Sequence, residues 1–185
     1  VAAALLLLGL WPVSVLEVQP GPYVVRLPGD VFGIRYRHSV FQVPVEERFR
    51  AGPEGFLLLD VISVTERIED YYAFPGGRME TGGGSYRLVP GTESVPGPLL
   101  RVRATGVGGR SLIVGHRCIP LVDLAGEGGV AELRWRRVSL VRWWILAVRQ
   151  ELSQKGGHGS CPVPPVLTVR PASRKTAGGS HTTKS

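Results

Sequence analysis

What most constrains this chain is its punctuation. Between Glu17 and Arg136, short apolar or alternating runs are broken by glycine and proline, and no stretch carries a convincing helical period. The 185 residues include 25 Gly and 15 Pro, so turns must be frequent. "PYVVRLP" (Pro22 to Pro28) predicts a short strand between prolines, and "PGD" (Pro28 to Asp30) a turn. "VFGIRYRHSVF" predicts a long alternating strand. "GFLLLDVISV" opens with a continuous apolar run, the mark of a strand buried on both faces. Pro75 to Gly91 is glycine-rich and reads as a mobile loop with one short strand around Tyr86 to Val89. "PLLRVRATGVGGRSLIVGHRCIPL" reads as a β-hairpin with "GVGG" as its turn, and "VAELRWR" closes the series. The expected fold is all-β, an antiparallel sandwich or small barrel of about seven or eight strands. No internal repeat is present.

Hydrophobic residues make up 43% and charged residues 20%, the balance of a globular domain. The formal charge of +7 is unevenly placed. Residues 1–133 hold 12 Lys+Arg and 14 Asp+Glu, whereas residues 134–185 hold 10 and 1. The basicity belongs to the C-terminal segment, and no aromatic-interleaved basic motif accompanies it, so nucleic acid is not an expected partner. The two cysteines, Cys118 in a predicted strand and Cys161 in the tail, form neither a disulfide framework nor a metal-ligand array. "HRC" (His116 to Cys118) is an ordinary strand sequence, and no cofactor or metal is expected.

Four regions follow. Residues 1–16, "VAAALLLLGLWPVSVL", are uncharged and have the length of a signal-peptide core or anchor, which predicts export or membrane attachment through this segment. Residues 17–136 are the β domain. Residues 137–153 are apolar with arginines at the edges and Arg142 inside, a candidate amphipathic interfacial helix. Residues 154–185 are Gly-, Pro- and Ser-rich and read as a disordered basic tail.

Two residues interrupt otherwise apolar strand faces. Ile34, Tyr36, His38 and Val40 share one face; Val43, Val45, Glu47 and Phe49 share another. The phase switches between Val40 and Val43, so the chain must bend there, at a sheet edge or at a corner between sheets, and Pro44 donates no ladder hydrogen bond. His38 and Glu47 then both point inward near the bend. A buried carboxylate needs a partner, and a histidine in contact would satisfy it, raising the histidine pKa and lowering the carboxylate's. Three roles fit such a pair: a polar pin for the strand register, a small ligand pocket with Tyr36 and Ser39 nearby, or His38 as a general base oriented by Glu47. The last needs a nucleophile. Ser39 points to the opposite face of a strand, and neither a G-x-S-x-G elbow nor a P-loop is present, so no complete catalytic constellation emerges.

At these residues the sequence resembles domain-of-unknown-function family 1850. "YRHSVFQVPVEERF" is similar to that family's His-Ser-Val followed by Pro-Val-x-Glu-x-Phe, on His38, Ser39, Val40, Pro44, Val45, Glu47 and Phe49. "RSLIVGHRCIPLVDLAGEGGVAELRW" resembles its closing pattern, and the likeness covers about Leu16 to Trp135. "ERIEDYYAFPGG" departs from it, standing where many members have a Gly-Ala-Gly-like turn. The resemblance implies a small exported or membrane-anchored bacterial β-domain, periplasmic or on the outer face of the cell membrane. It also implies an accessory role in TRAP-type uptake systems of the TAXI class, with the permease or the solute-binding protein as partner and no established enzyme activity. The rival expectations are a small hydrolase or lyase using His38 and Glu47, and a purely structural β domain.

Overall fold

The computed structural model describes residues 9–21, 23–91, 94–96, 99–153 and 161. Its strands pair antiparallel in two sheets. The smaller contains β1 (Pro12–Gln19), β2 (Tyr23–Arg26), β9 (Leu99–Arg103) and β12 (Val130–Ser139), in the order β2-β1-β12-β9. The larger contains β3 (Val31–Arg37), β4 (Pro44–Gly52), β5 (Gly55–Ser63), β6 (Arg78–Gly82), β7 (Ser85–Val89), β10 (Ser111–Val114) and β11 (Arg117–Pro120), in the order β11-β10-β3-β4-β5-β7-β6. The short β8 (Ser94–Pro96) pairs with the start of β5. Neither strand order closes on itself, so the fold is a sandwich rather than a barrel, with more strands than the alternation alone suggests.

The core follows from the pleat. Leu16 and Val18 of β1, Val25 of β2 and Leu133 of β12 face Phe32 and Ile34 of β3, Phe49 of β4 and Phe56 of β5. Phe32 stacks on Phe49 at 5.4 Å and meets Phe56 edge-on at 5.7 Å. Each such side chain contributes about 1.5–3 kcal/mol by leaving water. The other face of the small sheet carries Val13, Val15, Val24 and Val138, and the helix Leu140–Ser153 covers it with Leu140, Trp143 and Leu146. A third cluster, Val45, Val61, Ile68 and Leu88, lies where the large sheet is covered by the five-residue helix Ile68–Tyr72. Tyr36 and Leu58 pack against both this cluster and the main core.

Several expectations need correction. A domain boundary at Leu16 would cut through β1, whose Val13, Val15 and Leu16 are buried, so the apolar segment available for an anchor ends before Pro12. The bend after Arg37 is neither a sheet corner nor an edge kink but a hairpin turn joining neighbouring strands, since Arg37 pairs with Pro44 and Tyr36 with Val45. Pro75 to Gly91 is not one loop with one strand: β6 and β7 form a hairpin across Gly83 and Gly84, both at positive φ (60° and 79°), as a tight two-residue turn requires. β9 and β10 are not a hairpin either. β9 pairs with β12 and β10 with β3, so "GVGG" carries the chain from one sheet to the other. β5 is buried on both faces only in its second half, and Leu57 is exposed. The two five-residue helices, Ile68–Tyr72 and Leu121–Ala125, are too short to show a period.

Cys118 of β11 and Cys161 are joined by a disulfide with a Cα–Cα distance of 5.6 Å. The sequence reading of no disulfide framework did not foresee this single bridge, because only the fold brings residue 161 to β11. Arg35 Nη1 donates to Cys161 Sγ at 3.5 Å, so this point of the tail lies on the outer face of the large sheet. The rest of the expected disordered tail, residues 154–160 and 162–185, lies outside the described residues.

Candidate functional site

The site is built on the β3–β4 hairpin. Ile34 stands opposite Glu47 and Phe32 opposite Phe49, so Glu47 shares the inner face with core residues, as the alternation implies. Two tyrosines meet it. Tyr36, also on the inner face, donates to Glu47 Oε1 at 3.0 Å, and Tyr72 donates to the same oxygen at 2.5 Å. The two hydroxyl oxygens are themselves 2.5 Å apart. Two phenolic protons therefore serve three short oxygen contacts. Burial first, and then the Glu47 charge, raise both tyrosine pKa values well above the usual 10, so both hydroxyls stay protonated as donors. Both use Oε1. Among the described residues no donor reaches Oε2.

His38 has a different task. It begins the turn, with its N–H donating to Val43 O and its carbonyl accepting from Gln42 N, each at 2.8 Å. Its Nδ1 accepts from the amides of Val40 (3.2 Å) and Phe41 (3.3 Å), so the ring closes the turn as an Asx side chain would. The ring stacks on Phe41 at 4.7 Å and lies edge-on to Tyr71 at 4.2 Å. Burial pushes its pKa below the usual 6.5. An accepting Nδ1 places the proton of the neutral ring on Nε2, which is buried and has no hydrogen-bond partner among the described residues. The expected His38–Glu47 contact is thus absent, and the histidine pKa moves down rather than up. Glu47 takes its hydrogen bonds from tyrosines, and His38 spends its acceptor on the turn.

Both residues nonetheless line one cavity of about 560 Å³, between the hairpin, the Tyr71–Tyr72 end of the short helix and the segment following β9. Ile34, Phe49, Leu100 and Val102 give it apolar walls; Arg37, Arg101, Arg110 and Glu127 supply charge. The Arg110 guanidinium lies over the Tyr36 ring, 5.4 Å from its centre, and donates to Arg103 O at 3.2 Å. The arrangement suits a small polar molecule, with a carboxylate in the wall for a donor or cation and arginines nearby for an anionic group.

Of the residues the sequence singled out, Tyr36, His38, Ser39 and Glu47 all border this cavity. Ser39 is exposed on the turn, and its carbonyl accepts from Gln42 Nε2 at 2.5 Å. Val40 is 69% exposed at the hairpin tip. Pro44 opens β4 and its carbonyl accepts from Ser63 Oγ, while Val45 and Phe49 are core. Sequence reasoning missed Tyr72, Tyr71 and Arg110. The aromatic pair in "EDYYAF" was the only available signal. Compared with protein-family models, curated proteins and solved structures, the chain matches none.

Proposed function

We propose that this chain is an extracytoplasmic accessory β-domain of a TRAP-type uptake system, and that it holds a small ligand in the Glu47 cavity. The observation that carries the reading is Glu47 itself. It is a carboxylate on a core-facing strand position, fixed through one oxygen by two tyrosines, in the wall of a cavity of ligand size. The likeness to family 1850 at His38 to Phe49 supports the transport association, with the permease or the solute-binding protein as partner. The apolar N-terminal run supports membrane attachment, and the Cys118–Cys161 disulfide suits an oxidising compartment. A hydrolase or lyase reading has less support, because His38 Nδ1 is engaged by turn amides and, among the described residues, no nucleophile is hydrogen-bonded to the ring.

The test is a thermal-shift screen of the full chain against small carboxylates, amino acids and divalent metals, since a molecule that binds only the folded state raises the midpoint. Amino acids are the expected hits, having an ammonium for Glu47 and a carboxylate for the arginines. A screen without any shift contradicts the ligand reading. Failure of the chain to co-purify with permease or binding protein contradicts the accessory role.

A further inference from the structure

The helix Leu140–Ser153 has two apolar stripes where a helix on a globular domain needs one. Leu140, Trp143 and Leu146 pack inward on the small sheet. Val141, Trp144, Ile145 and Val148, spaced at helical period, form a second stripe with no such cover among the described residues. Val141 is 52% exposed, Trp144 61% and Ile145 43%. Leu10 (70%) and Trp11 (65%) extend the same patch, because Leu140 N donates to Trp11 O and Gly9 packs against Val141. Arg142 and Arg149 are exposed beside the stripe, and among the described residues neither has a carboxylate partner. Leu140 to Arg149 contains no acid. The groove along the inner flank of the stripe, bordered by Trp143 and Trp144, is lined by Arg26, His116 and Arg117.

From this arrangement we infer that the exposed face of the Leu140–Ser153 helix, with Leu10 and Trp11, docks on the anionic surface of a lipid bilayer. Exposed tryptophans flanked by exposed arginines match the interface, where aromatic rings sit at headgroup level and cations meet lipid phosphates. Charge favours this occupant over a second copy, since apposing two such faces would bring four exposed arginines together. The sequence preceding Gly9 adds to the argument, since "VAAALLLL" is apolar and uncharged. No described helix is long and apolar enough to cross a membrane, so this one lies along the surface.

The test is co-sedimentation of the full chain with vesicles of phosphatidylcholine alone and of a phosphatidylcholine–phosphatidylglycerol mixture. The wild type prefers the anionic vesicles, and salt weakens that preference. Arg142→Glu with Arg149→Glu lowers partitioning into the anionic vesicles by about tenfold or more and leaves binding to the neutral ones unchanged. Trp144→Ser with Ile145→Ser lowers both by about tenfold. All four positions are exposed, and unchanged thermal midpoints verify that the variants fold. Wild-type partitioning by both variants overturns the proposal, because the N-terminal run alone then carries binding. A wild-type dimer that the Trp144→Ser, Ile145→Ser variant converts to monomer overturns it as well, in favour of a second copy on this face.

Discussion

At residue scale the account rests on three oxygens. Glu47 Oε1 accepts from both Tyr36 and Tyr72, and a hydrogen bond to a charged group contributes about 1.5–3 kcal/mol. Tyr72→Phe therefore lowers unfolding free energy by about 1.5–3 kcal/mol in denaturant titrations. A loss below about 0.5 kcal/mol would mean that Tyr72 is merely packed there. His38 gives a pH signature. Its native pKa lies below the unfolded value near 6.5, so the unfolded chain binds the proton more readily. The stability it contributes is complete above about pH 6.5 and is lost as pH falls through the native pKa. His38→Asn, which keeps an acceptor for the turn amides, flattens that part of the stability profile; an unchanged profile would assign the titration to another group. Alternation made Glu47 legible, because strand faces repeat every second residue. It misplaced His38, which lies just beyond β3, where the strand rule no longer applies. Tyr72 was not legible at all: the fold brings it to Glu47 from 25 positions away along the chain.

At the scale of elements, many strands were readable and their partners were not. β2, β3 and β12 announce themselves in the sequence, whereas β1 is hidden inside the apolar N-terminal run that reads as an anchor. Whether "GVGG" closes a hairpin or passes the chain between sheets depends on which edges remain free, and no local signal encodes that. The outer face of the large sheet shows the same limit. Asp60 on β5 is 1% exposed and bound by Arg48 from β4 (2.5 Å) and Arg87 from β7 (2.7 Å), a cross-strand network visible only once the strand order is known. The disulfide belongs here too. It links residues 43 apart and so closes β12 and the following helix into one loop, a cross-link worth up to about 4 kcal/mol by chain entropy. Cys161→Ser is expected to lower stability by about 2–4 kcal/mol in denaturant titrations. No change in midpoint would mean that ordering the tether costs as much as the loop constraint contributes.

For the whole molecule, the sandwich leaves one stretch of the large sheet beyond the reach of the small one. The helix Ile68–Tyr72 covers it with a core of its own, and the cavity lies at the junction of the two cores. That is why a polar cluster can sit on an inner face: packing is interrupted there, and Glu47 meets both tyrosines at the cavity wall. The class of fold was legible because glycine and proline mark the turns. The cavity was not, because it arises from two clusters that are distant in sequence. The most direct measurement is the ligand-induced shift in melting midpoint of the full chain, wild type against Glu47→Gln, with the best amino acid from the screen. Glutamine can still accept from both tyrosines but carries no charge. The account predicts a folded Glu47→Gln variant that no longer responds to the ligand. A variant that melts like the wild type and shifts equally would place the ligand elsewhere and contradict the assignment.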